Sequence, residues 1–86
     1  MTDATTIISR PELTMPDREA AHLRAVYASA AVILEYGVGG STIMASEMAG
    51  KTITSVETDQ SWVETINSWV AQNPVKSVPD VILANI

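Results

Sequence analysis

The sequence predicts an α/β fold built on a parallel sheet, and three observations predict it. Apolar or β-branched runs alternate with segments of helical period, in the order helix-β-α-β-α-β. Each strand-like run is separated from the next by one helix, as right-handed parallel crossovers require. The first such run enters a glycine cluster, Gly37-Val38-Gly39-Gly40, the strongest local signal in the chain.

The elements follow in order. Residues 1–14 are polar, contain Pro11 and read as an irregular arm. A helix is expected at about 16–29, capped by Thr14, with Pro16 early in its first turn. Asp17 and Glu19 lie near its positive end, and Leu23, Val26 and Tyr27 form its apolar stripe. Residues 31–36 read as a strand buried on both faces. Ser41 or Thr42 is expected to cap a helix at about 42–49, closed by Gly50. Residues 52–57 alternate as a second strand. Asp59 or Ser61 caps a third helix at about 60–72, with Trp62, Val63, Ile66, Trp69 and Val70 on its apolar face. Asn73-Pro74 ends it, and Val81-Ile82-Leu83-Ala84 reads as a last strand.

Composition narrows the function. The chain has 86 residues, one small domain at most, and 47% are hydrophobic, which excludes an intrinsically disordered chain. The net charge of -5 disfavours nucleic acid as a partner. No cysteine is present, so disulfides, thiolate metal sites and thiol nucleophiles are excluded; this fits a cytoplasmic protein. With one histidine, His22, a multi-histidine metal centre is impossible. No apolar run approaches the ~20 residues that cross a bilayer, and the N-terminus does not read as a secretory signal, so no membrane partner is expected.

Ligands of parallel sheets sit at the carboxyl ends of the strands. Three such ends meet here: Glu35 with the glycines, Glu57 with Asp59, and Asn85. The dinucleotide fingerprint G-x-G-x-x-G fails at Thr42, and a Walker A loop fails for want of a lysine between 37 and 50. Glu35, two residues before Gly37, would repel a pyrophosphate and attract an ammonium or a sulfonium. Glu57, twenty residues beyond Gly37, stands where a carboxylate accepts ribose hydroxyls. A ligand with a ribose and a cation in place of phosphate is implied, and S-adenosylmethionine is such a ligand.

The segment Glu35-Tyr36-Gly37-Val38-Gly39-Gly40-Ser41 resembles motif I, E/D-x-G-x-G-x, of the class I S-adenosylmethionine-dependent methyltransferases. Ser55-Val56-Glu57 resembles the acidic motif closing their second strand. Residues 32–74 are similar to a bacterial group of methyltransferase-like proteins, as is the lead-in Leu13-Thr14-Met15-Pro16; the resemblance covers about residues 11–85. It implies a three-layer Rossmann-like parallel sheet, here truncated, and a domain over 15–86. It further implies that Gly37 and Gly39, with Gly40 and Ser41, let the backbone approach the methionyl part of the ligand. Glu35 would bind its amino group, directly or through water. Glu57 would hold the ribose, Thr58 would lie beside the adenine, and Asn85 would accept from the adenine amine. The last strand could also be the family's fourth, with an intervening strand lost.

The family's sheet is larger and begins in the order 3-2-1-4. This chain is therefore expected to be a cofactor-binding half rather than a competent enzyme, with its acceptor unknown. Its first strand would be an apolar, uncharged edge, which predicts a homo-oligomer. Bland readings stand beside these. The glycine turn can be a turn without a ligand, in a non-catalytic, self-associating module. A dinucleotide-binding fragment is disfavoured by Thr42 and Glu35. Asp59 is better read as a helix cap, Trp62, Trp69, Met44 and Met48 as core, and His22 as solvated.

Overall fold

The computed structural model describes residues 9–84. Helix α1 (Asp17–Ser29) is followed by β1 (Val32–Tyr36), α2 (Gly40–Ser46), β2 (Thr52–Glu57), α3 (Gln60–Gln72) and β3 (Asp80–Leu83). The strands form one parallel sheet in the order β1-β2-β3, with Glu35 opposite Ser55 and Glu57 opposite Leu83. The expected helix-β-α-β-α-β order and parallel sheet are present. The last strand pairs with β2, so it occupies the place of a third strand; a fourth in the order 3-2-1-4 would pair with β1.

The three helices pack on one face of the sheet. Ile33, Ala45 and Ile53 form one buried cluster with Tyr27 and Ala30; Ile43, Ile66 and Trp69 form another with Val38 and Val81. The chain moves across the sheet in one direction, and right-handed crossovers then place every connecting helix on the same side. Of the three layers expected, the described residues therefore form two. This corrects the reading of β1 as buried on both faces. Ile33 and Glu35 are buried, while Val32 (72%), Leu34 (59%) and Tyr36 (83%) are exposed on the open face.

Local chemistry moves several boundaries. Pro16, not Thr14, stands at the start of α1, and no side chain caps that end. Pro16 has no N–H and its φ of -55 suits the entry to a helix. At the other end, Lys51 Nζ donates to the carbonyls of Ala28 and Ala30, a cation on the negative end of the helix. Gly39, not Ser41 or Thr42, precedes α2, and Thr42 Oγ1 accepts the Gly39 N–H at 3.2 Å. Asp59 caps α3 as expected, accepting from the Ser61 amide at 2.9 Å. Trp69 is buried, but Trp62, one turn into α3, is 43% exposed and not core. Met44 is buried, and Met48 lies half-buried beyond the end of α2.

Residues 9–16 have no regular structure and cross the start of α2. The Glu12–Leu13 peptide lies so close to Gly40 that a Cβ there would collide with its backbone. Arg10 donates to both carboxylate oxygens of Glu47, at 2.6 and 3.2 Å.

Candidate functional site

The site is built at the carboxyl ends of β1 and β2. Gly37 leaves β1 with φ +96, a conformation that L side chains rarely adopt, and donates its N–H to the Val56 carbonyl at 2.6 Å. The turn is thereby held against the end of β2. Gly39 is extended, and a Cβ built there would meet nothing within 4 Å. Nothing in the fold therefore requires glycine at position 39. A close-approaching ligand would.

Glu35 is 6% exposed and sits beneath this turn. Its Oε2 accepts hydroxyl hydrogen bonds from Tyr27 at 2.6 Å and Ser41 at 2.7 Å. Its Oε1 accepts from Thr42 at 2.7 Å and Ser55 at 2.8 Å. A carboxylate offers about four acceptor sites, and all four are filled. A ligand cation meets Glu35 only through Ser41 or by displacing a hydroxyl. The cage ties α1, β1, α2 and β2 to a single side chain. Burial first, and then the Glu35 carboxylate, push the Tyr27 hydroxyl well above its ordinary range.

Glu57 is placed differently. Its Oε1 accepts the Val38 N–H at 2.9 Å, and its Oε2 accepts the N–H groups of Thr58 and Asp59, each at 2.9 Å. The Val38 amide, then those of Asp59 and Thr58, hold its carboxyl below the usual range. Three of about four acceptor sites are used, which leaves one on Oε1 for an incoming hydroxyl.

Two clefts are lined by residues that Glu57 binds, although Glu57 lines neither itself. The first, about 310 Å³, lies between residues 12–15 and the glycine turn, with Tyr36, Val38 and Ser41 in its lining. The second, about 350 Å³, is lined by Thr58, Gln60, Leu83 and Ala84. Glu57 binds Val38 in one cleft and Thr58 in the other. An elongated ligand with hydroxyls at its middle fits this arrangement. Neither cleft is lined by a histidine; His22 is exposed on α1.

Of the residues singled out in the sequence, Gly37, Gly39, Gly40 and Ser41 line the first cleft, and Thr58 lines the second. Glu35 and Glu57 anchor the turn from below and from the side. Asn85 lies outside the described residues. Sequence reasoning did not assign Tyr27, Thr42 or Ser55 to the Glu35 cage, nor residues 12–15 to a cleft wall. Ser55 left a signal: a small polar residue at an inward position of β2, two before Glu57, implies a buried polar partner.

Among the described residues no helix is long and apolar enough to cross a membrane, and no cluster of metal-ligating side chains occurs. No protein-family model matches the chain, and no curated protein matches it. Among solved structures, a crystal structure of a methyltransferase-like protein from Silicibacter pomeroyi DSS-3 is 51% identical, with a TM-score of 0.78 over 87% of this chain. The chain spans 39% of the length of that protein. In sequence and in fold, the chain is therefore similar to part of a methyltransferase-like protein.

Proposed function

We propose that the chain binds S-adenosylmethionine, or its demethylated product, across the carboxyl ends of β1, β2 and β3, as the cofactor-binding part of a methyltransferase of the class I type. The observation that carries this reading is Glu57, which accepts from Val38 of one cleft and Thr58 of the other and keeps one acceptor site open. The ribose takes that site. The adenine lies on Leu83 and Ala84 beside Thr58, and the methionyl end lies over Gly37 and Gly39. A phosphate is disfavoured, because carboxylates stand below and beside the turn. Ser41 donates its proton to Glu35, so its lone pairs face elsewhere and suit a ligand ammonium.

When bound, the cofactor supplies a methyl group on a sulfonium. Glu57 would hold its ribose, and the turn at Gly37 and Gly39 would hold its methionyl end, so that the methyl group is presented to an acceptor lone pair. The residues of this chain bind and orient. The test is a titration with S-adenosylhomocysteine followed by amide NMR. Shifts at both Val38-Gly39 and Thr58-Ala84 are expected, and shifts at neither would overturn the reading.

A second reading, a self-associating module without a ligand, is favoured by the open face of the sheet. Val32, Leu34 and Tyr36 of β1 and Ile82 of β3 are exposed. We propose a second copy as the occupant, and self-association is compatible with ligand binding at the strand ends.

A further inference from the structure

We infer that residues 10–15 form a latched strap, and that Arg10 and Glu47 are positioning residues that hold one wall of the ligand cleft. The inference deepens the proposed cofactor site and rests on that reading for its ligand. One end of the strap runs into α1. The other is fixed by the bidentate Arg10–Glu47 pair, with Glu12 at 3.5 Å from the same guanidinium. Between these anchors the Glu12–Leu13 peptide rests on Gly40.

The strap is undercut on both sides. The ligand cleft lies on the glycine-turn side, and a second hollow of about 330 Å³, lined in part by Arg24, Ala20 and Met44, lies on the other. A backbone with space on both sides and no ladder of its own is placed by its contacts. Here those are the lack of a side chain at Gly40 and the ion pair at Arg10. Both partners are partly exposed, with side chains 39% and 43% accessible, so the pair is screened by salt and opens readily. An entering ligand lifts the strap, and the latch closes it again. Arg10 and Glu47 line no part of the proposed ligand cleft, so they act on affinity through strap position.

The experiment compares the wild type with Arg10→Gln and with the charge exchange Arg10→Glu/Glu47→Arg. A glutamate-specific protease reads the strap directly, because the Glu12–Leu13 bond is the one pressed on Gly40. The glutamate introduced at position 10 precedes Pro11 and resists cleavage. Arg10→Gln should raise cleavage at Glu12 about threefold or more, and the exchange should return it towards wild type. Added salt should speed wild-type cleavage and leave Arg10→Gln unchanged. In parallel, S-adenosylhomocysteine should dissociate roughly three to ten times faster from Arg10→Gln, with recovery in the exchange variant. Equal cleavage of wild type and Arg10→Gln would overturn the latch, whatever the ligand does. Faster cleavage with unaltered dissociation would overturn the positioning role. Failure of the wild type to bind any adenosyl ligand would sink the cofactor reading, and with it the positioning role, while the cleavage rates still decide the latch.

Discussion

The Oε1 atom of Glu57 accepts the backbone N–H of Val38 at 2.9 Å, across 19 positions of sequence. Together with the Gly37 N–H bond to the Val56 carbonyl, it holds the glycine turn after β1 to the end of β2. It fixes the spacing between the two clefts that the proposed ligand bridges. Replacing Glu57 with Ala removes both the tether and the open acceptor site. S-adenosylhomocysteine binding should fall roughly tenfold or more by calorimetry. An Asp59→Ala variant should lower helix stability and leave affinity nearly intact, because Asp59 caps α3. A loss of binding in Asp59→Ala but not in Glu57→Ala would place the ribose on the wrong acid.

The same bonds make stability depend on pH. The folded carboxyl of Glu57 is held below its ordinary value of 4.5. Its contribution is therefore fully present above that value and is lost as pH falls through the lower, folded one. Asp59, held down by Ser61, adds in the same direction. Urea unfolding at pH 7 and at pH 3 should show a larger loss in wild type than in Glu57→Gln. Equal losses would mean that the amides do not favour the charged form.

The three glycines separate by role. Gly37→Ala should cost about 1–2 kcal/mol of stability, because φ is +96 there. Gly39→Ala should leave stability within ~0.5 kcal/mol, since the backbone is extended and the space open, yet weaken ligand binding. Gly40→Ala should push the strap off and speed protease cleavage at Glu12. Urea denaturation, calorimetry and the protease assay together distinguish all three. Unchanged binding in Gly39→Ala would remove the ligand from the turn.

The Glu35 cage is a stability element with a spectral signature. Tyr27→Phe should cost about 1–2 kcal/mol, because Glu35 loses one of its four donors while buried. Ultraviolet titration of the wild type should show one tyrosine ionising only in strong alkali, and Tyr27→Phe should lack that step.

Alternation and glycine chemistry made much of this legible. The strand and helix order and the Asp59 cap follow from local pattern, as does the placing of Glu35 and Glu57 at strand ends, and each is a short-range property. What was not legible depends on the sheet as a whole. The apolar run at β1 reads as buried on both faces, yet one-directional winding leaves Val32, Leu34 and Tyr36 open. Trp62 shares a helical face with Trp69 by spacing, but only Trp69 reaches the sheet-side core. The cage around Glu35 draws on Tyr27, Ser41, Thr42 and Ser55, which no periodicity links. The contact of Glu12 and Leu13 with Gly40 joins an irregular segment to a turn, and irregular segments carry no repeat to read.

The proposed second copy on the open face is tested by its effect on assembly. Sedimentation at micromolar concentration should show a dimer or larger species, and Leu34→Lys should shift it to monomer. A wild-type monomer would exclude a second copy from that face.

The central claim is that the strand ends bind an adenosyl sulfonium or its thioether rather than a dinucleotide. Calorimetric titration of the full chain with S-adenosylhomocysteine and, separately, with NAD tests it most directly. The account predicts S-adenosylhomocysteine binding on the order of 10 μM to 1 mM, or ~4–7 kcal/mol, and weaker or no binding of NAD. Tighter binding of NAD would contradict it.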